Sequence, residues 1–313
     1  MIDIGGFRLN LERAGQGGPT VVFESALAGS SISWMYVQPA VAEFTRALAY
    51  DRAGFGRSER GPLPRTASRL ADELHALLLN AGEPPPYVLV GHSFGGLVTR
   101  IFAARHPDLT AGLVLVDPAH PEDWVRPAPK EQVRIDRGVA LCRQGLWACR
   151  LGVAPVVSAL VGAGAVGAAR AVVNAFTRGG LGGDTDWLLA PLWKLPPDAR
   201  RRLRAYWTRA AFFEALGSQI GSMSTSAAET LEASAQGYAD LPLVTISLSN
   251  PDDHRVLHQE ALARRSTRGR HVVASRSGHW IPLDEPTTVV SEVRKVVELA
   301  RASQRIASPW GRR

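Results

Sequence analysis

Short apolar runs alternate with helical patterns along most of the chain. Runs of four to six residues predict strands buried on both faces, because such strands lack the polar alternation of half-exposed ones. They lie at residues 20–23, 46–50, 87–90, 112–116, 243–248 and 271–275. Helical patterns follow several of them, as at residues 68–80 and 94–105. Strands that alternate with helices predict crossover connections, and hence a mostly parallel sheet with helices on both faces.

The alternation stops in the middle of the chain. Residues 118–240 contain helical patterns, proline and glycine, but no convincing strand pattern. We therefore predict an α/β core made of residues 1–117 and 241–313, with residues 118–240 inserted as a helical cap at the carboxyl edge of its sheet. Ligands of such sheets bind at that edge, so we expect the cap to cover a pocket.

One turn between a strand and a helix carries a serine between two glycines. Gly91-His92-Ser93-Phe94-Gly95 fits the pattern G-x-S-x-G, and it joins an apolar run to a helical pattern. Glycine tolerates the close approach in so sharp a turn, which raises the serine hydroxyl above the sheet. The turn also places the N–H of Phe94 at a helix N-terminus, where it can donate to an oxyanion. A glycine-rich turn with a capping serine is the alternative interpretation.

These motifs resemble the α/β-hydrolase superfamily, whose nucleophile elbow has this pattern. The resemblance covers nearly the whole chain and is weakest across residues 118–240. It implies the α/β-hydrolase fold, with an eight-stranded, mostly parallel sheet and with Ser93 as the nucleophile. A serine nucleophile needs a base. Ser-Gly-His at residues 277–279 matches the place of the family's catalytic base, which implies that role for His279. A structural loop histidine is the alternative.

The third member of the implied triad should orient the imidazole and stabilise its charge. In the family's order of serine, acid and histidine, Asp117 follows the run at residues 112–116, whereas Asp252 and Asp253 follow the next strand, the more common place. Asp117 as a strand end, and Asp252 or Asp253 as a helix cap, are the alternative interpretations. We favour Asp117 because the sequence LVLVDPAH resembles a subgroup with its acid at the earlier strand, and the later pair stays open.

The loop after residues 20–23 should supply the other half of an oxyanion hole. The superfamily usually has His-Gly there, whereas this chain has Glu24-Ser25-Ala26-Leu27-Ala28-Gly29. Alignment with the family assigns the donor to the N–H of Leu27, since only backbone groups are needed. Glu24 either orients this loop by hydrogen bonding or is a plain strand-end carboxylate. Residues 51–58, DRAGFGRS, match a superfamily turn that is chiefly structural.

Composition and charge narrow the range of partners. The 313 residues suit one large domain, or one domain with an insertion, and carry a formal net charge of +7. The basic residues are not interleaved with aromatic ones and no nucleic-acid motif is present, so we expect no nucleic-acid partner. No cluster of cysteine and histidine has metal-ligand spacing. We therefore expect neither a metal nor a cofactor; the oligomeric state stays open.

Two features bear on localisation. Cys142 and Cys149 would lie about 10 Å apart on one straight helix, too far for a disulfide, so we expect reduced thiols and a cytoplasmic protein. No signal peptide is visible at the N-terminus. Residues 151–169 carry no charge. A packed pair of small-residue helices is our interpretation of this stretch, and a cap that touches a membrane is the alternative.

Together these patterns predict a serine hydrolase, most closely a carboxylesterase-like enzyme of class EC 3.1.1. We expect acyl-enzyme chemistry by Ser93, His279 and Asp117 on a small to medium apolar ester, whose natural identity stays open. A lyase, a cofactor-free perhydrolase or a C–C hydrolase would share this triad, and a non-catalytic binding protein is the third alternative. The serine argues against haloalkane dehalogenase and epoxide hydrolase chemistry, which in this superfamily uses Asp at the elbow.

Overall fold

One eight-stranded sheet organises the chain. The computed structural model describes residues 1–177, 191–248 and 253–307. The strands are β1 (Ile2–Asp3), β2 (Arg8–Ala14), β3 (Thr20–Glu24), β4 (Ala47–Asp51), β5 (Tyr87–His92), β6 (Thr110–Val116), β7 (Leu243–Leu248) and β8 (Gly269–Ala274). Their order is β1-β2-β4-β3-β5-β6-β7-β8. Only β2 runs against its neighbours, so the predicted eight-stranded, mostly parallel sheet is confirmed.

Helices connect the strands and cover both faces of the sheet. They are α1 (Gln38–Ala42), α2 (Ala67–Asn80), α3 (Gly95–Arg105), α4 (Pro121–Val125), α5 (Pro129–Arg150), α6 (Val153–Gly162), α7 (Val166–Thr177), α8 (Pro197–Tyr206), α9 (Ala210–Gly221), α10 (Met223–Ala233), α11 (Asp253–Ala263), α12 (Ile281–Asp284) and α13 (Pro286–Ala307). Residues 191–194 are also helical. Short 3-10 helices span Ser31–Trp34 and Pro107–Leu109. Between β6 and β7, the described residues are helical or irregular.

The central strands are mostly apolar because both of their faces are buried. In β6, Leu113 and Leu115 belong to the hydrophobic cluster that includes α2 and α3. Val114 and Val116 point to the other face, as alternation along a strand requires, and pack in the cluster with α1 and α13. All four side chains are fully buried. Burial of each contributes about 1.5–3 kcal/mol, so helices are needed on both faces.

Strand register brings three carboxyl ends together. Glu24 at the end of β3 pairs with Gly91 of β5, and His92 of β5 pairs with Val116 of β6. The turn that contains Ser93 therefore lies between the loop after β3 and the residue after β6. The segment between β8 and α12 carries His279.

The predicted cap range, residues 118–240, includes a helix that packs on the core. α10 lies against α2 and α3. Its Ser226 hydroxyl accepts the Ala67 N–H at 3.0 Å, and its Glu229 carboxylate accepts the Ser68 N–H at 2.9 Å. Both bonds satisfy amides of the first turn of α2, which have no partner within that helix. The boundaries of core and cap stay a prediction.

The uncharged stretch at residues 151–169 forms α6 and the start of α7. It is a helix pair as predicted, but α6 is not enclosed, since none of its residues is buried. The reason is its position, because among the described helices α6 packs mainly against α5, α7 and α8. Among the described helices, none alone is long and apolar enough to cross a membrane; α5 and α6 together would be, but they bend by 92° at their junction.

Both cysteines lie on α5 and both are free thiols, as predicted. Cys142 is buried, and burial raises its pKa to about 12. Cys149 is half-buried, and burial raises its pKa as well. Neither thiol is therefore activated as a nucleophile at neutral pH.

Candidate active site

The turn between β5 and α3 holds Ser93 in a strained backbone conformation. Its φ is 52°, in the left-handed region that residues other than glycine rarely adopt. Space is short on both sides. A Cβ atom on Gly95 would lie 2.5 Å from the carbonyl oxygen of Glu24, and one on Gly91 would lie 2.7 Å from the carbonyl oxygen of Gly95. The two glycines of the G-x-S-x-G pattern are therefore required by the packing.

Backbone hydrogen bonds keep this strained turn in place. The N–H of Ser93 donates to the carbonyl oxygen of Val116 in β6 at 3.0 Å. The carbonyl oxygen of Ser93 accepts the N–H groups of Gly96 at 2.9 Å and of Ala119 at 3.0 Å. Such strain persists where the surroundings fix the backbone from several sides. Here both β6 and the segment after it do so.

Asp117 and His279 are in direct contact. Asp117 follows β6, and its φ of 39° is also in the left-handed region. Its N–H donates to the carbonyl oxygen of Ile246 in β7 at 2.6 Å. The distance from His279 Nδ1 to Asp117 Oδ2 is 2.6 Å. A carboxylate only accepts, so Nδ1 carries the hydrogen, which leaves the lone pair of a neutral imidazole on Nε2.

Two independent contacts bring residue 279 to the serine turn. Asp117 is adjacent in sequence to Val116, which accepts the N–H of Ser93. On the other side, Nε2 of His92 lies 2.8 Å from the carbonyl oxygen of His279, and the two rings are 5.0 Å apart. His92, the residue before Ser93, therefore contacts His279. The N–H of Ser93 also bonds to Val116, the residue before Asp117, and Asp117 contacts His279 from the other side.

His92 acts as a neutral hydrogen-bond donor. It is completely buried, and burial, with the nearby His279 ring as a second cause, lowers its pKa to about 3. Because a carbonyl oxygen only accepts, Nε2 of His92 must carry the hydrogen. This contact was not predicted from the sequence. Its signal was a histidine at the variable position of the elbow, which a pattern match ignores.

Two backbone N–H groups, one in the elbow and one in the loop after β3, form no hydrogen bond to the described residues. Within the described part of the chain, no hydrogen bond is formed by the N–H of Phe94 or by the N–H of Leu27. Both residues are buried. The close approach of Gly95 to the carbonyl groups of Glu24 and Ser25 brings the elbow against the loop that carries Leu27. Such a pair of N–H groups could bind an oxyanion.

Beneath that loop lie three buried polar side chains that a triad does not use. The hydroxyl of Tyr50 donates to Oε2 of Glu24, and Nε of Arg52 lies 3.5 Å from Oε1 of Glu24. Nη2 of Arg52 donates to the carbonyl oxygen of Ala26. Burial raises the pKa of Glu24, and the charge of Arg52 and the Tyr50 hydrogen bond oppose that rise. Of the two interpretations of Glu24, hydrogen bonding beneath the loop is the one that fits these contacts.

The other acidic candidates follow β7. Asp252 lies outside the described residues, and Asp253 begins α11 with its side chain outside them. His120, which follows Asp117 closely, is buried, and its ring lies 5.0 Å from that of His258. Across residues 1–177, 191–248 and 253–307, no group of three or more His, Cys, Asp or Glu side chains is arranged to hold a metal ion.

Comparison with known families identifies the fold family. A family model described as "alpha/beta hydrolase fold" matches residues 19–286, most of the chain. The chain belongs to the alpha/beta hydrolase family. The matched residues include the turn at Ser93, Asp117 and His279.

Solved structures share the fold of this alpha/beta hydrolase at low sequence identity. An esterase from Thermogutta terrifontis is 20% identical, covers 94% of each chain and has a TM-score of 0.66. A putative epoxide hydrolase from Pseudomonas aeruginosa is 15% identical, covers 96% of each chain and has a TM-score of 0.68. At these identities the likeness shows the fold and not the reaction.

Curated relatives match over shorter segments. The 2-hydroxymuconate semialdehyde hydrolase of Pseudomonas sp. (strain CF600) is 37% identical over 117 residues, which are 36% of this chain and 41% of that protein. This alpha/beta hydrolase spans less than half the length of the curated relatives that it matches.

Proposed function

We propose that this alpha/beta hydrolase cleaves carboxylic esters through a serine nucleophile, as a carboxylesterase-like enzyme of class EC 3.1.1. The observation that supports it most is the 2.6 Å contact from His279 Nδ1 to Asp117 Oδ2, next to the strained turn at Ser93. Asp117 thereby acts as the triad acid, and His279 as the base. The substrate is a small to medium apolar ester.

The proposed reaction has two halves. Oγ of Ser93 attacks the acyl carbonyl carbon while Nε2 of His279 takes the hydroxyl proton. The tetrahedral intermediate collapses to the acyl-enzyme, the ester C–O bond breaks, and the alcohol leaves with the proton from His279. Water then attacks the acyl carbon, again deprotonated by His279, and releases the carboxylic acid and Ser93. No cofactor enters either half.

Two N–H groups stabilise the oxyanion in this proposal. Phe94 supplies one at the start of α3, and Leu27 supplies the other from the loop after β3. Loss of one such donor typically raises the barrier by about 2.7–4 kcal/mol. The absence of another acceptor for either group in the described residues supports the assignment.

The test is turnover of p-nitrophenyl butyrate together with labelling by a fluorophosphonate. Wild type should do both, with the label on the peptide that contains Ser93, while Ser93→Ala should do neither and unfold at the same urea concentration. Ser303→Ala, which removes an exposed hydroxyl on α13, is the matched control and should behave as wild type. A folded wild type that neither labels nor turns over would contradict the proposal.

Hydrolysis of a C–C bond is the second candidate. The similarity to the 2-hydroxymuconate semialdehyde hydrolase supports it, although that similarity covers about a third of this chain. Labelling of Ser93 without turnover of any p-nitrophenyl ester from acetate to octanoate would favour this second reaction. Turnover of the esters with labelling would favour the first.

A further inference from the structure

We propose that Arg52 is a positioning residue for the oxyanion hole, because its buried guanidinium fixes the peptide that carries the Leu27 N–H. This inference rests on the proposed function, since the oxyanion hole belongs to that reaction. It concerns a residue of the DRAGFGRS turn that the sequence analysis treated as chiefly structural. In the same turn, Asp51 does have a structural role, because its carboxylate accepts the N–H groups of Ser31 at 2.8 Å and of Arg57 at 3.0 Å.

One peptide group links Arg52 to the proposed oxyanion hole. Ala26 C=O and Leu27 N–H belong to the same peptide bond, which is not among the cis bonds of the chain. In a trans peptide the C=O and the N–H point in opposite directions. Nη2 of Arg52 donates to the carbonyl oxygen of Ala26. The N–H of Leu27 therefore points away from Arg52, on the side where no acceptor in the described residues meets it.

The same guanidinium also lies against the elbow. Its central carbon lies 5.5 Å from the ring centroid of Phe94, and 5.5 Å from that of Phe55. A guanidinium this close to an aromatic ring is held there by attraction to the ring face and by packing. Phe94 supplies the other N–H of the proposed oxyanion hole. One cation thus bonds to the peptide that carries the Leu27 donor and lies against the side chain of Phe94, which carries the other.

A buried carboxylate keeps the guanidinium of Arg52 in place. Arg52, Glu24 and Tyr50 are all almost completely buried. A buried guanidinium is costly without a negative partner, and Glu24 supplies one at 3.5 Å. Tyr50 holds the second oxygen of that carboxylate and so orients it. If Arg52 formed only the ion pair with Glu24, its role would be structural. Its hydrogen bond to the carbonyl oxygen of Ala26 also fixes the position of the loop after β3.

The charge also acts on the donor itself. A cation bonded to a carbonyl oxygen polarises the peptide and makes its N–H a better donor, and this effect is strong in a low-dielectric site. An oxyanion gains more from such a donor than a neutral ester carbonyl does. Arg52 should therefore matter more for kcat than for KM.

The experiment compares Arg52→Met and Arg52→Lys with the same changes at Arg65. Arg65 is equally buried and pairs with Glu73 at 2.5–2.6 Å, so Arg65→Met reproduces the loss of a buried arginine in another ion pair. The readouts are kcat and KM for p-nitrophenyl butyrate and the inhibition constant of a trifluoromethyl ketone, whose adduct with serine carries an oxyanion. Each rate is expressed per folded protein, from urea unfolding curves.

Arg52→Met should lower both kcat and the affinity for the ketone about 100-fold, which is close to the effect of losing one oxyanion donor. KM should change less than about threefold. Arg52→Lys, whose ammonium can still donate to Ala26, should recover about tenfold of this, and is also the variant to use if Arg52→Met does not fold. Arg65→Met should lose stability but keep kcat and ketone affinity. If Arg52→Met and Arg52→Lys do the same, Arg52 is structural and the inference is wrong.

A second measurement separates this inference from the proposed function. The amide proton of Leu27 is observed by NMR in ¹⁵N-labelled wild type, Arg52→Lys and Arg65→Lys. Because a lysine holds the Ala26 carbonyl less firmly than the arginine does, the Leu27 resonance should shift in Arg52→Lys and not in Arg65→Lys, whether or not esters are cleaved. An unshifted Leu27 amide overturns the inference. A folded wild type without labelling or turnover, but with the shift, overturns only the proposed function.

Discussion

The carboxyl edge of the central strands and the helices α5–α7 differ in how firmly their residues are held. At the edge, Ser93 and Asp117 both have positive φ, and neighbouring strands bond to each. In α6, by contrast, no residue is buried, and Val156 is 53% exposed. Strained conformations persist only where the surroundings determine them. The edge can therefore keep catalytic groups in unfavourable conformations, whereas the exposed positions of α6 and α7 can change sequence at little cost.

Loss of the Asp117 carboxylate should have the largest effect. Asn tolerates the left-handed backbone, so Asp117→Asn should keep its fold. Its amide would donate rather than accept at His279, which favours the wrong imidazole tautomer. We expect kcat for p-nitrophenyl butyrate to fall about 10⁴-fold with the unfolding midpoint nearly unchanged.

Asp252→Asn and Asp253→Asn are the matched controls for that prediction. Each changes a carboxylate of the alternative acid site, and each should stay within about twofold of wild-type kcat, as a substitution outside a triad would. A large loss in Asp252→Asn with an active Asp117→Asn would transfer the acid to the later position.

Packing at the elbow should give the next largest effect. In Gly95→Ala the new methyl would meet the carbonyl oxygens of Glu24 at 2.5 Å and of Ser25 at 2.7 Å. Backbone atoms cannot move aside as a flexible side chain can. We expect a loss of about 1–3 kcal/mol in urea unfolding, together with loss of esterase activity because the loop with Leu27 must shift. A Gly95→Ala variant as stable and active as wild type would contradict the close packing of Gly95 against the carbonyl groups of Glu24 and Ser25.

Burial of His92 should lower the free energy of unfolding by about 2 kcal/mol when the pH falls from 7.5 to 5. Burial lowers its pKa to about 3 in the folded protein, against about 6.5 when unfolded. Below pH 6.5 the unfolded chain binds this proton and the folded protein does not, so stability falls as the pH falls toward 3. Above pH 6.5 the group is neutral in both states and has no effect.

The measurement is the free energy of unfolding in urea at the two pH values. His92→Gln keeps a donor near the position of Nε2 but does not titrate, so its loss should be smaller than that of wild type by about 2 kcal/mol. Ser303→Ala, which removes an exposed hydroxyl on α13 and no titratable group, is the control and should follow wild type. Equal losses in wild type and His92→Gln would show that His92 is not buried as a neutral group.

Comparison of these regions also shows what the sequence could predict. The sheet was predictable because burial on both faces leaves apolar runs such as residues 112–116, and the elbow because its two glycines are sterically required. The contact from His279 to Asp117 joins positions 162 residues apart, so only the family's order of residues pointed to it. The buried contacts of Arg52 were not assigned, although a glutamate at the end of a buried strand was a visible anomaly.

The exposure of α6 could not be predicted, and the reason is physical. An uncharged run of small residues has no polar face, so its pattern does not distinguish an enclosed helix from one that covers others. Which of the two occurs depends on the neighbours, which among the described helices are mainly α5, α7 and α8. The elbow differs because its constraint is local and is written in adjacent residues.

The smallest expected effect is a gain of stability in Gly167→Ala. Gly167 lies in the first turn of α7, and a Cβ atom there would meet nothing within 4 Å among the described residues. Alanine restricts the unfolded chain and favours the helix, so we expect a gain of about 0.4–1 kcal/mol with kcat within about twofold of wild type. The same substitution at Gly95 should be destabilising, so the pair of variants measures the difference between the two regions directly. A loss in Gly167→Ala would mean that α7 is packed as tightly as the strand edge, and that the contrast between them does not hold.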